Sequence, residues 1–316
     1  MKWLIKACIQ KTISLLPKSE SLNFLFQHKV TKSLPVNYEE FYHKVKIAIE
    51  HFNAFLKYGP SKEISNVTFY EFGAGWDLII PLAYYAFGVE HQTLIDIRPN
   101  IRFELVNDTL IKFSTGNPEL EKMANRPLNI RGPVELRTVE DLKTRFGITY
   151  LAPVDASDTK LPSGSFDFIS STVTLHLIPE PDLLRILIEC NRILRNNGIM
   201  SCRVTMLDDY SSFDKSISHY NFLKYSNSVW QYINSPLHFQ NRLRYSDYLR
   251  LIKVSGMEIV AEDLEKPTSE DIQILNSLNI SPEFKEKYSS EDLGAKRLNI
   301  VLRKSNKSTN ILPNGN

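Results

Sequence analysis

The sequence predicts an α/β fold built on a seven-stranded, mostly parallel sheet with helices on both faces. Three observations support this prediction. Short apolar segments rich in β-branched and aromatic residues recur along the chain, segments with helical periodicity alternate with them, and the first strand breaks into two glycines, Gly73 and Gly75. Repeated β–α units of this kind fold into a parallel sheet that is covered on both sides.

Seven segments have the length and composition of buried strands. Between the fourth and fifth of them, Asn196-Asn197-Gly198 is expected to turn the chain into the fifth strand. The seven segments lie near residues 67–72, 92–96, 148–154, 166–171, 198–204, 257–262 and 297–303.

Helices are expected before and between these strands. The segment from Tyr38 to Leu56 carries apolar residues at helical spacing, which predicts a helix. Pro181 and Asp182 are typical start signals and predict a second helix from Asp182 to Leu194. Another helix should follow the glycine turn. The stretch 105–147 is longer than one crossover needs and predicts an extra helix from Pro133 to Phe146.

The chain divides into a helical extension, a main domain and a tail. Residues 1–66 form the N-terminal helical extension, residues 67–304 hold the main domain, and residues 305–316 are polar and expected to be disordered. Within the main domain, residues 207–255 are dense in Tyr, Phe, His, Trp and Asn. They predict a helical insertion after the fifth strand that would cover a substrate.

Composition and charge exclude several classes of function. The 316 residues carry a formal net charge of +2, which gives no basic field for nucleic acid. Cys8, Cys190 and Cys202 show neither zinc-ligand nor disulfide spacing, so we expect no metal site and a reducing, cytoplasmic environment. No apolar run is long enough to cross a bilayer.

The segment Val67–Asp77 is the most informative part of the chain. A strand ends in Glu71 and then breaks at Gly73-Ala74-Gly75, where missing side chains let backbone N–H groups approach a ligand. A second strand ends in Asp96, roughly 20 residues further on, the distance at which dinucleotide-type folds place a ribose-binding carboxylate.

Together with Asp155-Ala156 and the strand Phe166–Ser171, these motifs resemble the class I S-adenosylmethionine-dependent methyltransferases, whose fold is Rossmann-like. The resemblance runs from Val67 to the last strand. It implies S-adenosylmethionine as the cofactor and an antiparallel final strand, which Leu298–Arg303 fits.

The resemblance assigns a role to each cofactor residue. The loop of Gly73, Ala74 and Gly75 would pass beneath the methionine part of the cofactor, and Glu71 would face its amino group. Asp96 would accept hydrogen bonds from both ribose hydroxyls.

Four further residues complete this set. Ile97 would pack on the adenine, Asp155 would accept from its exocyclic amine, and the backbone N–H of Ala156 would meet a ring nitrogen. Thr172, at the end of the fourth strand, is placed beside the same site. A third glycine is absent, and Asp77 stands near its place, where it would repel a pyrophosphate; this departure argues against NAD.

The acceptor should bind near the ends of the fourth and fifth strands. His176 resembles a histidine often found there in this family and is either a base for an acceptor hydroxyl or a capping residue. His219, Tyr220 and Arg242, in the aromatic insertion, either bind a sugar or an acidic small molecule or belong to a helical core. Asp208 lies nearby, but the metal-ligand pattern of catechol methyltransferases is not evident.

The sequence therefore predicts a methyltransferase that acts on a small molecule or a glycan, by analogy most often at oxygen. Two alternatives remain open. One is methylation of a lipid or quinone precursor, with the basic, amphipathic residues 1–17 lying on the inner membrane surface; the other is a methyltransferase-like protein that binds without turnover. Residues 1–17 could equally pack on the domain and close the cofactor site.

Overall fold

The computed structural model describes residues 2–16, 19, 22, 24, 34–130 and 134–305. The tail predicted to be disordered lies outside the described residues from residue 306 onward, as do Met1 and Pro17 at the ends of the N-terminal segment.

Seven strands form one sheet in the order β3-β2-β1-β4-β5-β7-β6. β7 pairs antiparallel with both of its neighbours, and every other pairing in the sheet is parallel. The predicted mostly parallel sheet and its antiparallel last strand are confirmed. The strands are β1 (Thr68–Phe72), β2 (His91–Ile95), β3 (Ile148–Leu151), β4 (Phe166–Thr172), β5 (Leu194–Thr205), β6 (Met257–Glu265) and β7 (Arg297–Lys304).

Helices precede the sheet, connect its strands and form an insertion after β5. The α-helices among the described residues are α1 (Lys2–Ser14), α2 (Tyr38–Tyr58), α3 (Ile79–Ala86), α4 (Phe103–Thr115), α5 (Asn117–Ala124), α6 (Val139–Phe146), α7 (Glu180–Ile193), α8 (Tyr210–Phe213), α9 (Asn227–Ile233), α10 (Tyr245–Val254), α11 (Ser269–Ser277), α12 (Pro282–Lys285) and α13 (Ser290–Gly294).

The sheet is buried on both faces because consecutive strand residues point to opposite sides. Phe69 of β1 packs on Phe168 of β4 with ring centroids 4.5 Å apart, in the core beneath α2. Its neighbour Tyr70 packs on Phe166 with ring centroids 5.1 Å apart, in the core on the other face. Helices on both faces, as predicted, cover this continuous apolar sheet.

Two local predictions need correction. Asn196 and Gly198 lie within β5 rather than in a turn before it, since the pairing with β4 jumps from Leu194 to Ile199 and the intervening residues bulge outward. The extra crossover helix begins at Val139, because Thr138 caps it and forms a reciprocal capping box with Asp141. Pro133, the predicted start, lies outside the described residues.

The insertion after β5 forms a third core together with α1. Trp3 is buried against Tyr210 and Tyr225, with ring centroids 5.6 and 5.7 Å away, and its backbone N–H donates to the carboxylate of Asp214. Lys11 donates to the carbonyl oxygen of Asn234 at 3.1 Å. The first helix therefore packs on the insertion. No helix among the described residues is long and apolar enough to span a membrane.

Candidate functional site

A cavity of about 460 Å³ opens at the carboxyl ends of β1, β4 and β5, beneath the first turns of α2. This is where the sheet order reverses, since β1 pairs with β2 on one side and β4 on the other, and such a crevice is the usual ligand site of an open α/β sheet. Five residues predicted to contact the cofactor line it: Glu71, Gly73, Ala74, Gly75 and Thr172.

The glycine loop has the backbone conformation that glycine alone adopts easily. Gly73 and Gly75 have φ angles of +75° and +79°. A Cβ atom on Gly73 would lie 2.5 Å from Cγ2 of Thr174, whereas one on Gly75 would meet nothing within 4 Å. Gly73 thus permits close packing against the end of β4, and Gly75 leaves open space over the cavity.

Glu71 is a buried carboxyl group at the floor of the cavity. The hydroxyl of Ser170 donates to its Oε2 at 3.2 Å, and no Lys or Arg side chain pairs with it among the described residues. Burial, opposed by the Ser170 bond and reinforced by the charge of Asp96, raises the pKa of Glu71 to about 8. Glu71 is therefore a buried acid without a cationic partner among the described residues, and a ligand cation beside it would favour its ionised form.

Asp96 ends β2 one residue beyond Ile95, whose carbonyl oxygen accepts the N–H of Gly73 at 3.3 Å. The hydroxyl of Tyr150 donates to its carboxylate at 3.0 Å, and burial raises the pKa of Asp96 to about 7. Asp96 is thus a second buried acid beside the glycine loop, although it lies outside the lining of the cavity.

The residues predicted to hold the adenine also lie outside that lining. Ile97 is 67% exposed, Asp155 is exposed and accepts the backbone N–H of Ser157 at 2.8 Å, and Ala156 packs partly buried against the core. All three follow β2 and β3 at the same edge of the sheet as the cavity.

Asp77 is not a free negative charge. Lys44 of α2 donates to its Oδ2 at 2.7 Å, and both residues line the cavity. The repulsion of an anion expected at this position is therefore offset by the neighbouring Lys44, and Asp77 does not by itself exclude a phosphate-bearing ligand.

Thr172 is held from behind by a buried histidine. Nε2 of His51 lies 3.2 Å from the hydroxyl of Thr172, and its Nδ1 lies 2.7 Å from the hydroxyl of Ser201 on β5. Burial, assisted by the charge of Arg203, lowers the pKa of His51 to about 3. His51 is therefore neutral and can fix the orientation of both hydroxyls.

His176 is buried and does not line the cavity. Its Nε2 lies 3.2 Å from Oδ2 of Asp209, a residue that does line the cavity. Burial raises the pKa of Asp209, but His176 and then His238 outweigh that effect and hold it below the ordinary value. Asp209 is also fixed by its backbone N–H, which donates to Gln240 at 3.1 Å.

The structure brings none of the three predicted acceptor residues into the cavity lining. His219 lies 3.0 Å from the carboxylate of Asp271, and the hydroxyl of Tyr220 donates to the carbonyl of Gly294. Arg242 is buried and donates to carbonyl oxygens of the insertion, including that of Phe222 at 2.9 Å. These contacts are those of a folded core.

Asp208, which lines the cavity next to Asp209, holds the insertion together through hydrogen bonds. Its oxygens accept the N–H of Tyr210 at 2.9 Å and the amide of Asn221 at 3.3 Å, and burial raises its pKa to about 7. Among the described residues no group of three or more His, Cys, Asp or Glu side chains could hold a metal ion.

Ser211 and Ser212, which follow Asp209 in the insertion predicted to cover a substrate, also line the cavity. One face of α2, which had no predicted role in the site, contributes Glu40, His43, Lys44 and Ile47. The helical spacing of the α2 residues places them on one face, but a mixed polar face is equally typical of a solvent-exposed helix, so the sequence alone does not assign them to a site.

Residues 133–202 match the family described as a methyltransferase domain, and no curated protein sequence matches the chain. A solved structure from Pyrococcus horikoshii OT3 is 13% identical, with a TM-score of 0.46 over 89% of this chain and 98% of that one. A SAM-dependent methyltransferase from Methanosarcina mazei is 13% identical, with a TM-score of 0.43 over 79% and 96%. A geranyl diphosphate methyltransferase in complex with SAM is 10% identical, with a TM-score of 0.43 over 83% and 84%.

Proposed function

We propose that this chain is a class I methyltransferase that transfers a methyl group from S-adenosylmethionine to a small molecule or a glycan. The methyltransferase-domain match over residues 133–202 and the order of the sheet support this proposal. The observation that carries this proposal is Glu71, which is buried beside the Gly73–Gly75 loop without a cationic partner among the described residues. Burial favours the protonated form of such an acid, and a ligand ammonium group, such as that of the cofactor's methionine part, would favour its ionised form.

The residues around the cavity suit this cofactor. Glu71 would accept the ammonium group, and the Gly73–Gly75 loop leaves room for the methionine part. Asp96 is a buried acid one strand away and would accept from the ribose hydroxyls, while Ile97 and Asp155 lie at the same edge for the adenine. When bound, S-adenosylmethionine supplies an electrophilic methyl group on a sulfonium centre.

The chain's own contribution is to bind, orient and exclude water. A nucleophile attacks the methyl carbon directly, so positioning and desolvation carry much of the rate. Asp209 faces the cavity with a lowered pKa, is expected to be ionised near neutral pH, and can accept a hydrogen bond from an acceptor hydroxyl. Ser211 and Ser212 add hydroxyls beside it. These groups favour an acceptor with several hydroxyls and support methylation at oxygen.

A second candidate acceptor is a lipid or quinone precursor at the inner membrane surface. The observation in its favour is a stripe of exposed aliphatic side chains on α1, which packs on the insertion beside Asp209. A protein that binds the cofactor without turnover is the remaining alternative, and the residues predicted to hold the cofactor speak against it.

Calorimetric titration of the purified chain with S-adenosylhomocysteine tests the cofactor, with NAD as the control ligand. We expect micromolar binding that Asp96→Ala weakens, since two hydrogen bonds to a charged acceptor disappear, each on the order of 1.5–3 kcal/mol. Asp263→Ala, at an exposed acid on β6, is the matched control and should bind as the wild type does.

Binding that Asp96→Ala leaves unchanged would reject the ribose assignment. If a folded protein binds neither ligand, the proposed cofactor is wrong. Once binding is established, an acceptor screen with sugar nucleotides and glycans, followed by quinone precursors presented in vesicles, separates the two classes of acceptor by the appearance of S-adenosylhomocysteine.

A further inference from the structure

The first helix has two apolar faces, and among the described residues only one of them is covered. Trp3, Ala7 and Gln10 face the insertion and are buried. On the opposite side Ile5 and Ile9 are 63% and 37% exposed. A helix on the surface of a protein normally presents polar residues to the solvent. An exposed aliphatic face therefore indicates a binding surface.

The exposed side chains form one stripe. Ile5, Ile9 and Leu16 follow at intervals of four and seven residues, which places them on the same side of a helix and its last turn. Leu16, whose backbone N–H donates to the carbonyl of Ile13, is 47% exposed, and Leu15 beside it is more exposed still. We call Ile5, Ile9, Leu15 and Leu16 the α1 stripe.

The charge around the stripe has one sign. The first nineteen residues contain Lys2, Lys6, Lys11 and Lys18 and no Asp or Glu. Lys2 is exposed on the same side as the stripe, since it precedes Ile5 by three residues. A helix that combines aliphatic side chains with lysines and lacks acids is complementary to an anionic lipid surface.

The neighbouring insertion extends this surface. The Nζ of Lys6 lies 4.6 Å from the centre of the Phe213 ring, and Phe213 is itself exposed. Tyr232 on α9, a helix that packs against α1, is 77% exposed. Exposed aromatic side chains next to lysines are typical of proteins that sit at a membrane interface.

We propose that the α1 stripe, with Phe213 and Tyr232, docks the protein on the surface of an anionic lipid bilayer. The docking is peripheral, because the helix lies along the surface with its opposite face packed on the insertion. It places the insertion on which α1 packs next to the membrane. This inference does not depend on the proposed methyl transfer, since lipid binding needs neither cofactor nor acceptor.

Co-sedimentation with vesicles tests the proposal. The full chain should sediment with phosphatidylcholine vesicles that contain phosphatidylglycerol and much less with phosphatidylcholine alone, and added salt should weaken the binding because exposed charges are screened. The double variant Ile5→Asp/Ile9→Asp should lower the partition coefficient about tenfold or more, since it removes two inserting side chains and adds two anions.

The control is Ile188→Asp, which changes an exposed isoleucine on α7, a helix that packs in a different core from α1. Its partition coefficient should equal that of the wild type. Equal melting temperatures of all three proteins would show that the double variant is folded.

Three results would overturn the proposal. The first is no binding to phosphatidylglycerol vesicles by the folded wild-type chain. The second is binding that the Ile188→Asp variant loses as much as the double variant does. The third is a dimer in light scattering that the double variant dissociates while vesicle binding is absent, which would make a second copy of the chain the occupant of the stripe.

Discussion

Nε2 of His176 lies 3.2 Å from Oδ2 of Asp209, and of these two residues it is Asp209 that lines the cavity. The sequence left His176 as either a base for an acceptor hydroxyl, because histidine exchanges protons near neutral pH, or a capping residue. In the structure His176 and His238 lie behind Asp209 and lower its pKa. From this arrangement we expect Asp209 to contact an acceptor and His176 to act as a positioning residue.

The exchange of roles predicts different kinetic effects for the two residues. Asp209→Asn should lower kcat about 100-fold or more on the acceptor found by screening, because it removes the anionic hydrogen-bond acceptor from the cavity wall. His176→Gln keeps an N–H that can donate to Asp209 and should cost about tenfold or less. The measurement is kcat for both variants, with S-adenosylhomocysteine affinity as the control that neither should change. A larger loss for His176→Gln than for Asp209→Asn would restore His176 as the base.

Glu71 makes stability depend on pH. Its pKa is about 8 in the folded protein and 4.5 as the ordinary value, so between these two values the folded state holds a proton that the unfolded state releases. The free energy of unfolding should therefore fall as pH rises through this window, by roughly 1.4 kcal/mol per pH unit at most. Glu71→Gln should flatten the decline in urea unfolding measured from pH 5 to 9.

Asp96 adds a similar decline between 3.8 and about 7, so the interval from pH 7 to 8 is the one that isolates Glu71. If the free energies of unfolding of the wild type and of Glu71→Gln change equally with pH over that interval, the raised pKa of Glu71 is contradicted.

Cofactor binding should release the proton that Glu71 holds. An ammonium group beside the carboxyl favours its ionised form, so the pKa of Glu71 should fall when S-adenosylhomocysteine binds. At pH 7 the observed binding enthalpy should then vary with the ionisation enthalpy of the buffer, whereas for Glu71→Gln that dependence should shrink to the part that other groups contribute. The same slope in both proteins would exclude Glu71 as the partner of the amino group.

Local chemistry in the sequence was sufficient for the fold. Strand-type segments bounded by turn residues gave all seven strands, and the run that ends at Gly73 identified the edge of the sheet where the cavity lies. In a strand such as the one that contains Phe69 and Tyr70, successive side chains point to opposite faces of the sheet. This alternation follows from the pleated backbone alone, so it can be predicted from neighbouring residues. The boundaries failed at Gly198, where a bulge continued the strand through residues that favour a turn.

The acceptor side of the site depends on contacts between distant residues, which the sequence does not reveal. Arg242 and Tyr220 were candidate ligand-binding residues, but in the structure they donate to the carbonyl oxygens of Phe222 and Gly294. Whether a buried arginine binds a ligand or a carbonyl depends on where the chain folds back. Lys44 of α2 reaches Asp77 across more than thirty residues, and no local spacing signals that pair.

The two loop glycines should respond differently to replacement by alanine. Both have positive φ angles, so each alanine carries a backbone cost of about 1–2 kcal/mol. Only Gly73→Ala also brings a Cβ atom within 2.5 Å of Thr174, and it should lose more stability and more S-adenosylhomocysteine affinity than Gly75→Ala. Adding Thr174→Ala should restore part of the loss in Gly73→Ala. Equal losses in the two single variants would show that backbone strain alone matters.

Arg244 ties the insertion to the sheet. It is fully buried, and its guanidinium donates to the carbonyl oxygens of Met206, Leu293 and Ala295, at the end of β5 and around α13. The planar guanidinium has donors that point in several directions and can bond all of these carbonyls from one side chain. The single ammonium nitrogen of a lysine cannot reach them all.

Arg244→Lys should therefore lower the free energy of unfolding by about 3 kcal/mol or more, because buried carbonyls lose their donors. Arg250→Lys is the matched control: Arg250 lies on α10, the helix that begins directly after Arg244, is exposed and pairs with Glu180. Its replacement should change stability by less than about 1 kcal/mol. Urea unfolding followed by tryptophan fluorescence measures both. If Arg244→Lys unfolds together with the wild type, water or the lysine satisfies the carbonyls and the guanidinium is dispensable for holding the insertion.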